Sequence, residues 1–442
     1  RYKNESGGPL ELVNTAAVAE AGYPLSIAPR EKALPADVNA ALFSAEPSPA
    51  ASSRKLAAPI TLRFRWSDGA VEARKTFRFT KNSYLVEIES VLRHNGAPVP
   101  HFLAWRGGFG DAALADAAKE VKTFYFDPAQ GKVIRLEPDA AEKGPVRNAG
   151  NYLFAGVQDL YFAAAFQPAL AATTLELETS RLETATSREK KKQFFAGAAV
   201  GGAGENKFSA YIGPKSLAEL RAVRQELGQL VDFGFFGFIA YPLFLGLNWT
   251  SQWVSFGWAI ILVTIVINFA LFPLKLKSMQ SMKKMQKLQP LIKNINDKYK
   301  GMSMRDPKRQ QQNQEVMALY SKYGVNPMGG CLPMVLQLPF FFAFYTVLTA
   351  SIEMRHASWL WVRDLSTPEH LPIHILPILM IATQFWYQKM TPTTVGDPAQ
   401  QKMMQFMPLI MGFFFYSLSS GLVLYWLTGN LVGIAQQLFI NR

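Results

Sequence analysis

The sequence predicts an α+β membrane protein in which an N-terminal β-sandwich is followed by five α-helical spans and a helical hairpin. Strand-like runs are confined to the first half of the chain, long apolar runs to the second, and most of the net charge to one segment between two of those runs. With 442 residues, 49% of them apolar and 18% charged, the chain is long enough for two folding units and too apolar for a disordered protein.

Residues 1–214 are predicted to form the sandwich. Short runs rich in β-branched and aromatic residues, partly alternating with polar ones, are separated by turn signals such as Asp68-Gly69. The Pro- and Ala-rich stretch 29–59 is expected to be a surface loop, and the charged stretch Arg188–Lys192 a solvated turn. The predicted strands are 60–66, 71–79, 83–92, 101–105, 121–126, 152–154, 172–178 and 207–212.

Residues 215–253 are interpreted as an amphipathic helix and a lead-in to the first span. Ser216 followed by Glu219 has the pattern of a capping box, and apolar residues then recur at helical spacing up to Val231. This helix would lie on the outer membrane surface or pack on the sandwich, and its periodicity alone does not separate the two.

Residues 254–442 are predicted to hold the spans. Each long apolar run can form a helix that satisfies its own backbone hydrogen bonds, as hydrocarbon requires. A soluble helical core of this composition is the less favoured alternative. The predicted spans are 254–274, 331–352, 371–386, 403–416 and 421–440.

The loops between these runs predict the orientation. Segment 275–322 carries twelve Lys/Arg against three Asp/Glu, so the positive-inside rule places it in the cytoplasm. Loop 353–370 carries two against three and is expected outside. The C-terminus is then cytoplasmic and residues 1–230 lie outside. Five tryptophans are expected in an outer interfacial belt: Trp249, Trp253, Trp258, Trp359 and Trp361.

Residues 275–324 are predicted to form the cytoplasmic helical hairpin. Methionine and other apolar residues recur every three or four positions, Asp306-Pro307 begins a second helix and Gly324 can end it. The apolar face would either receive nascent segments, a ribosome or a targeting factor, or form the hairpin's own seam beside anionic lipid. The lysines expected to make these contacts are Lys283, Lys284, Lys287 and Lys293.

Several uncharged polar residues interrupt the predicted spans. Polar side chains in hydrocarbon usually face a bundle interior or a wet cavity, so a shared hydrated cavity is favoured over scattered interhelical hydrogen bonds. No acidic residue lies in a span, which argues against a proton- or cation-coupled solute transporter. The residues are Asn268, Gln337, Gln384, Thr428, Asn430, Gln436 and Gln437.

Enzymatic chemistry has little support in the sequence. The one cysteine, Cys331, excludes an intrachain disulfide and multi-cysteine metal sites. An enzyme would draw on His94, His101 or Asp111 of the first half, but no motif joins these residues. We therefore expect no catalytic residue, metal site or cofactor.

The second half resembles the YidC/Oxa/Alb family of membrane protein insertases, specifically the Gram-negative form with a large periplasmic domain. The resemblance covers about 205–442, and in residues 1–200 it lies mainly in position, size and β character. It rests on the runs 211–214, Pro273-Leu274, 323–333, 337–339, Pro377, 388–392 and 420–426.

This resemblance implies a non-enzymatic insertase of the bacterial inner membrane, with a periplasmic β-supersandwich and a further span before Arg1. A hydrophilic groove, open to the cytoplasm and to lipid, would receive the polar tail of a nascent membrane protein, alone or with the Sec translocon as partner. No small-molecule substrate is implied. By carry-over the groove would be lined by Asn268, Gln337, Gln384, Trp426 and Asn430.

The chain departs from the family at one groove position. Five residues before Pro273 the family pattern has an arginine, and this chain has Asn268. Either the groove works through water and dipoles without a fixed charge, or another cation such as Lys275 contributes at its mouth.

Overall fold

The computed structural model describes residues 2, 8–31, 34–35, 37–47, 56–111, 117–169, 174–185, 192–299, 308–325, 332–390 and 398–441. The chain divides into two compact units, 1–231 and 232–442. This division lies beyond the expected end of the sandwich at 214. The predicted solvated turn at 188–192 and Cys331 fall almost wholly outside the described residues.

The described part of the first unit is mainly β-structure, with short helices between strands. Its strands are β1 Ser26–Pro29, β2 Ser44–Glu46, β3 Ile60–Ser67, β4 Val71–Phe79, β5 Leu85–His94, β6 Ala97–Pro98, β7 His101–Trp105, β8 Lys122–Asp127, β9 Lys132–Leu136, β10 Val146–Gly150, β11 Ala155–Gln158, β12 Phe162–Pro168, β13 Leu175–Thr184, β14 Gln193–Gly201 and β15 Glu205–Pro214. Its α-helices are α1 Val18–Ala21, α2 Ala117–Glu120 and α3 Leu217–Val223, and a 3₁₀ helix follows at Gln225–Leu230.

The strands form two antiparallel sheets that share a buried interior. One has the order β1-β7-β14-β13-β10, and the other β2-β3-β4-β5-β15-β12-β11-β8-β9, with β6 paired to β5. The buried hydroxyls of Thr123 on β8 and Thr179 on β13 are 2.6 Å apart and join the sheets. A β-sandwich followed by helices is therefore confirmed.

Strand predictions succeed where the sequence alternates. The three clearest runs form β3, β4 and β5. Exposed residues alternate with less exposed ones in the second half of β3 and at the start of β4, whereas in β5 only Glu87 is exposed. The prediction of a strand at 152–154 is wrong, and the expected loop 29–59 contains β2. Strands β12 and β14 escape prediction because they are buried on both faces and filled with Ala and Gly, so they lack the period of two.

The segment after the sandwich packs on it. Leu217, Leu220, Leu227 and Leu230 are buried within the first unit. Side chains of the strands fasten the segment, with Arg135 Nη2 donating to the Gln229 carbonyl at 2.7 Å. The expected capping box is not formed, since Ser216 makes no side-chain cap, and extended backbone at Arg224 interrupts the helix. The apolar face is thus used inside the protein.

His101 joins the two sheets through hydrogen bonds. Its Nδ1 donates to the Val99 carbonyl at 2.9 Å, which leaves Nε2 to accept from the Ser90 hydroxyl at 2.8 Å. Asn206 on β15 also donates to the His101 carbonyl at 2.9 Å. Burial lowers the pKa of His101 below its usual value, so the native domain holds this ring neutral.

The second unit is helical in its described part. Its helices are α4 Gly237–Ser251, α5 Phe256–Ala270, α6 Phe272–Lys298, α7 Lys308–Lys322, α8 Leu332–Ala350, α9 Ile375–Met390, α10 Pro398–Phe415 and α11 Ser420–Asn441. Helix α4 occupies the stretch that the sequence indicates as a lead-in. Helices α5 and α6 meet at a bend of 57°, where Pro273 in the first turn of α6 needs no hydrogen-bond acceptor.

Length and apolar composition single out few membrane-spanning helices among the described residues. Ser420–Ile440 is long and apolar enough to cross alone, and the bent pair α5–α6 would make a second if it counts as one span. Val335–Ala350 and Phe406–Phe415 are shorter apolar helices. The five predicted spans therefore stay a prediction.

Helices α6 and α7 pack against each other. Met285, Leu288 and Ile292 form one buried cluster with Val325, against which Val316, Leu319 and Tyr320 pack. Gln312 Nε2 donates to Asn296 Oδ1 at 2.7 Å, and the Tyr299 hydroxyl to Glu315 Oε1 at 2.8 Å. The later part of the predicted apolar face, from Met285 to Ile292, thus forms the seam of this helix pair.

We expect residues 1–231 to fold alone more stably than residues 1–214. The shorter fragment loses four buried leucines, and truncating a single buried leucine to alanine already costs about 2–5 kcal/mol. Thermal unfolding by circular dichroism should show a melting temperature at least about 6 °C lower for 1–214. Leu220→Ala in 1–231 is the control and should fall between them. Equal melting temperatures would contradict the packing of this segment.

We also expect the stability of 1–231 to depend on His101 through pH. Between the lowered native pKa and about 6.5, the unfolded chain binds more protons at this site, so its contribution is full above about pH 6.5 and is lost as the pH falls. Burial raises the pKa of Asp159 to about 6, so at this site the native state binds more protons than the unfolded chain. The contribution of Asp159 to stability therefore falls as the pH rises, opposite to that of His101. Urea unfolding should therefore compare the domain with its His101→Gln variant. The stability difference between them should shrink from about pH 7 to pH 5, and a constant difference would refute this role.

Candidate functional site

The polar side chains of the second unit are organised by α11. Residues four and seven apart share one face of a helix, so Trp426, Asn430, Gly433 and Gln437 form a stripe directed at α9. Tyr425 and Gln436 lie on another side, towards α8 and α5. The polar side chains of α11 therefore contact three other helices, α9, α8 and α5.

The stripe towards α9 contains two of the predicted groove residues and meets a third. Trp426 Nε1 donates to Gln384 Oε1 at 3.1 Å. Asn430 Nδ2 lies 3.2 Å from the Thr383 hydroxyl and 3.3 Å from the Met380 carbonyl. These bonds hold α9 and α11 in one register over about one helical turn.

The same stripe continues to the end of α9. Gln437 Nε2 donates to the Met390 carbonyl at 3.2 Å. Between these bonds α11 has Gly433, where a β-carbon would lie 3.0 Å from the ring of Tyr387. The absence of a side chain there lets the two helices approach closely.

Towards α8, the contact is aromatic with one polar bond. Gln337 Nε2 donates to the Tyr425 hydroxyl at 2.7 Å, and the ring of Tyr425 stacks on Phe344 with centroids 4.1 Å apart. Phe341 packs edge-on against Trp426 at 5.4 Å. Gln337 is half-buried, so its amide lies at the margin of this contact.

Towards α5, α11 reaches Asn268. Gln436 Nε2 donates to the Asn268 carbonyl at 3.2 Å, and Asn268 Nδ2 donates to the Thr264 carbonyl one turn earlier at 2.8 Å. Lys275 Nζ, from the first turn of α6, donates to Asn268 Oδ1 at 2.6 Å. Asn268 and Lys275 are only 3% and 8% exposed.

The predicted groove residues thus meet on α11 but not at one point. Gln384, Trp426 and Asn430 share the α9 contact, Gln337 belongs to α8, and Asn268 contacts α11 through Gln436, which lies about 15 Å along the helix from Trp426. All five make hydrogen bonds within or between helices. Such bonds are what the alternative interpretation, scattered interhelical hydrogen bonds without a shared cavity, predicts. Whether they also line a groove stays a prediction.

Two contributors to these contacts are not predicted by the sequence. Thr383 and Tyr425 occur in apolar runs, where threonine and tyrosine are common, and they give no signal by themselves. Their neighbours would point to them, since Thr383 directly precedes Gln384 and Tyr425 directly precedes Trp426.

The four lysines of the predicted hairpin contacts have different surroundings. Lys283 is half-buried, and its Nζ donates to the Ile440 carbonyl at 3.0 Å, near the end of α11 where carbonyls lack helical partners. Lys284, Lys287 and Lys293 are exposed. Three of the four are thus available to a partner.

The loop between α8 and α9 closes one end of the helices. The buried Glu369 accepts from Trp361 Nε1 at 2.5 Å and from the Leu376 N–H in the first turn of α9 at 3.0 Å. Trp359, expected in the interfacial belt, is instead buried, because Gly257 lets its ring approach α5 closely. The other four predicted belt tryptophans are exposed.

The residues of the enzyme alternative do not assemble into a site. His101 is committed to the core of the sandwich, and the Asp111 N–H donates to the buried Asp159 carboxylate at 2.8 Å. His94 lies beside Asn95 at the end of β5. Within the described ranges no group of three His, Cys, Asp or Glu could hold a metal ion.

Both halves of the chain match known protein families. Residues 1–245 match the family described as the YidC periplasmic domain, and residues 248–442 the family described as the 60Kd inner membrane protein. Together they cover nearly the whole chain, with a junction close to the start of the second unit.

Curated relatives agree with these matches. A membrane protein insertase YidC of Wolinella succinogenes is 49% identical over 238 residues, which cover 53% of this chain and 43% of that protein. The chain thus spans less than half the length of this relative in the alignment. A membrane protein insertase YidC of Syntrophus aciditrophicus is 36% identical over 98% of this chain and 78% of that protein.

A solved structure is also similar. It is described as "Active YidC insertase crystal structure with the first transmembrane domain resolved", and it is 20% identical, with a TM-score of 0.41, over 85% of this chain and 75% of that one. The Syntrophus aciditrophicus relative, which aligns with 98% of this chain, and the two family matches confirm the resemblance seen in the sequence. The chain belongs to the YidC family of membrane protein insertases.

Proposed function

We propose that this protein inserts nascent membrane proteins into the bacterial inner membrane without enzymatic chemistry. The observation that carries the proposal is the polar seam, which we define as Gln384, Asn430, Trp426 and Gln437 between α9 and α11. Such side chains are costly beside lipid and useful to a polar segment that must cross. Membership of the insertase family supports the same conclusion.

The proposed topology has five spans, with residues 1–230 in the periplasm and both the α6–α7 hairpin and the C-terminus in the cytoplasm. The charge distribution supports this orientation. Helices α9 and α10 have 16 and 18 residues, about 24 and 27 Å, and so fall short of a hydrocarbon layer about 30 Å thick. Short helices thin the bilayer beside them, which shortens the path for a polar tail.

An exposed apolar surface beside the seam would guide the apolar helix of a substrate. Leu338, Phe342 and Tyr345 are exposed along one side of α8, and Ile410 and Phe413 along α10. A substrate helix could move along this surface into lipid while its polar tail contacts the seam. Gln337 and Asn268 would extend the hydrophilic groove beyond the seam.

The proposed partners are nascent membrane proteins, the Sec translocon, and a ribosome or targeting factor that binds the basic hairpin, within a lipid bilayer. No small-molecule substrate is proposed. No observation favours a solute transporter or a carbohydrate-active enzyme.

We expect Asn430→Leu to reduce insertion of a single-span protein by about tenfold, because it removes the amide that bonds the Thr383 hydroxyl and the Met380 carbonyl of α9. The assay is protease protection of the translocated tail in vesicles that contain the purified protein. Thr349→Val is the matched control, since the Thr349 hydroxyl bonds only within its own helix among the described residues. Unchanged insertion by a folded Asn430→Leu protein would show that the polar seam is not needed for insertion.

We expect Lys284→Gln, Lys287→Gln and Lys293→Gln together to weaken ribosome binding and flatten its salt dependence. Each lost phosphate contact should lower the slope of log affinity against log salt by roughly 0.7–0.9. The readout is cosedimentation with ribosomes across a salt series. The control removes three exposed lysines of the first unit, Lys81, Lys132 and Lys207, for the same change in net charge. Equal losses in both triple variants would show that only net charge matters.

A further inference from the structure

We infer that the loop between α8 and α9 inserts its tip, Leu360 and Trp361, into the boundary between the headgroups and the acyl chains of the lipid bilayer. The loop lies where α8 ends and α9 begins, at the end of the second unit away from the α6–α7 hairpin. The inference concerns how this end is held in a bilayer, and it does not depend on which proteins are inserted.

The tip is a tight two-residue turn. The Trp359 N–H donates to the Val362 carbonyl at 2.9 Å, and the Val362 N–H donates back to the Trp359 carbonyl at 2.8 Å, so only Leu360 and Trp361 lie between the paired residues. Leu360 has a φ of 48°, in the left-handed region that a residue with a β-carbon rarely adopts. Turns of this length favour Gly, Asn or Asp where φ is positive. A leucine at this position is therefore strained.

The strain at Leu360 is not offset by packing inside the protein. The other described residues besides glycine that have a positive φ are Asn82, Asn95 and His356, whose side chains tolerate it, and the half-buried Leu25. Leu360 is 65% exposed, so its side chain gains little from contacts within the chain. A strained backbone that displays an exposed apolar side chain indicates a contact outside the chain.

The loop that carries the tip is fastened to three helices. The Thr367 and Leu365 carbonyls accept from the first two N–H groups of α11, each at 2.8 Å. Trp359 packs on the start of α5, and Glu369 bonds the start of α9. Because these contacts fix the loop, the tip projects at a set position relative to the ends of these helices.

Exposed tryptophans lie near the tip. Trp361 is exposed, its indole N–H donates to Glu369 at 2.5 Å, and its ring centroid lies 5.9 Å from that of Trp359. Trp258, in the first turn of α5, is also exposed, and its ring centroid lies 5.7 Å from that of Trp359. Tryptophan is enriched at the boundary between headgroups and acyl chains, because its ring is apolar and its N–H is polar.

The charge beside the tip also fits a phospholipid. Arg363, two residues beyond the tip, is exposed, and among the described residues no carboxylate forms an ion pair with it. An apolar tip followed by a cation matches the acyl chains and the phosphate group of a lipid. An apolar partner helix would also bury Leu360, but it would supply no phosphate for Arg363. Lipid is therefore the occupant that both features support.

The first test measures depth with nitroxide labels on single cysteines of the full chain in phospholipid vesicles, after Cys331→Ser removes the native thiol. Leu360→Cys labels the tip, Val266→Cys the exposed side of α5, and His370→Cys an exposed polar position of the same loop. Oxygen relaxes a label in lipid, and a water-soluble nickel chelate relaxes a label in water. The ratio of oxygen to nickel accessibility at 360 should exceed that at 370 by about threefold or more and approach that at 266.

Two results of this measurement would overturn the inference. An equal ratio at 360 and 370 would place the tip in water. Low accessibility of position 360 to both reagents would show that protein covers the tip, either a second copy or a partner helix. No inserted substrate takes part in the measurement, so a failure of the proposed insertase function would leave its result standing.

The second test leaves the tip unlabelled. Leu360→Asn keeps a residue that adopts a positive φ and removes the apolar side chain. Quenching of Trp361 fluorescence by lipids brominated on their acyl chains, taken as the difference from Trp361→Phe in each background, should fall by about twofold. Ile373→Asn is the matched control, because Ile373 is also 65% exposed but lies outside the tip, and it should leave this quenching unchanged.

Thermal unfolding distinguishes the tip from a packed side chain. Because Asn relieves the strain at position 360, the melting temperature of Leu360→Asn should not fall. A lower melting temperature with unchanged quenching of Trp361 would show that Leu360 packs within the protein, and the inference would be wrong.

Discussion

Polar groups placed among apolar helices must find hydrogen-bond partners inside the protein, and this constraint organises the helical unit around α11. Trp426, Asn430 and Gln437 bond to α9, Tyr425 accepts from α8, and Gln436 donates to α5. Each bond is modest by itself, about 1 kcal/mol. Together they fix the register of several helices that otherwise contact one another through interchangeable apolar side chains.

Under the same constraint, a buried uncharged side chain and a buried lysine need different partners. An amide can be satisfied by a neighbouring helix, and a buried ammonium needs charge as well as hydrogen bonds. Asn268 provides only the second for Lys275. In the sandwich, a buried titratable group is accommodated without a charge. His101 is kept neutral and is bonded to Val99 and Ser90 between the two sheets. The buried lysine with an uncharged partner therefore lies in the helical unit, and the buried neutral histidine lies in the β unit.

The sequence predicts those features of the fold that depend on local periodicity. Alternation predicts β4 and β5, and long apolar runs predict the positions of α8 and α11. Local periodicity does not predict β12 or β14, whose Ala and Gly residues are buried on both faces. Nor can it decide the position of the segment after residue 214, because an amphipathic helix suits a sheet as well as a membrane. It leaves open how a neutral Asn268 is used, and pairing with Lys275 depends on a bend whose angle no sequence pattern specifies.

In the proposed mechanism, the side of α11 facing α9 contacts the polar part of a translocating chain, while α8 and α10 contact its apolar helix. Site-specific photocrosslinking to a stalled nascent single-span protein can distinguish these contacts. With probes at Gln384, Phe342 and Phe413, we expect the polar tail to crosslink to position 384 and the apolar helix to 342 and 413. Crosslinks of the tail to 342 or 413 without any at 384 would contradict the mechanism.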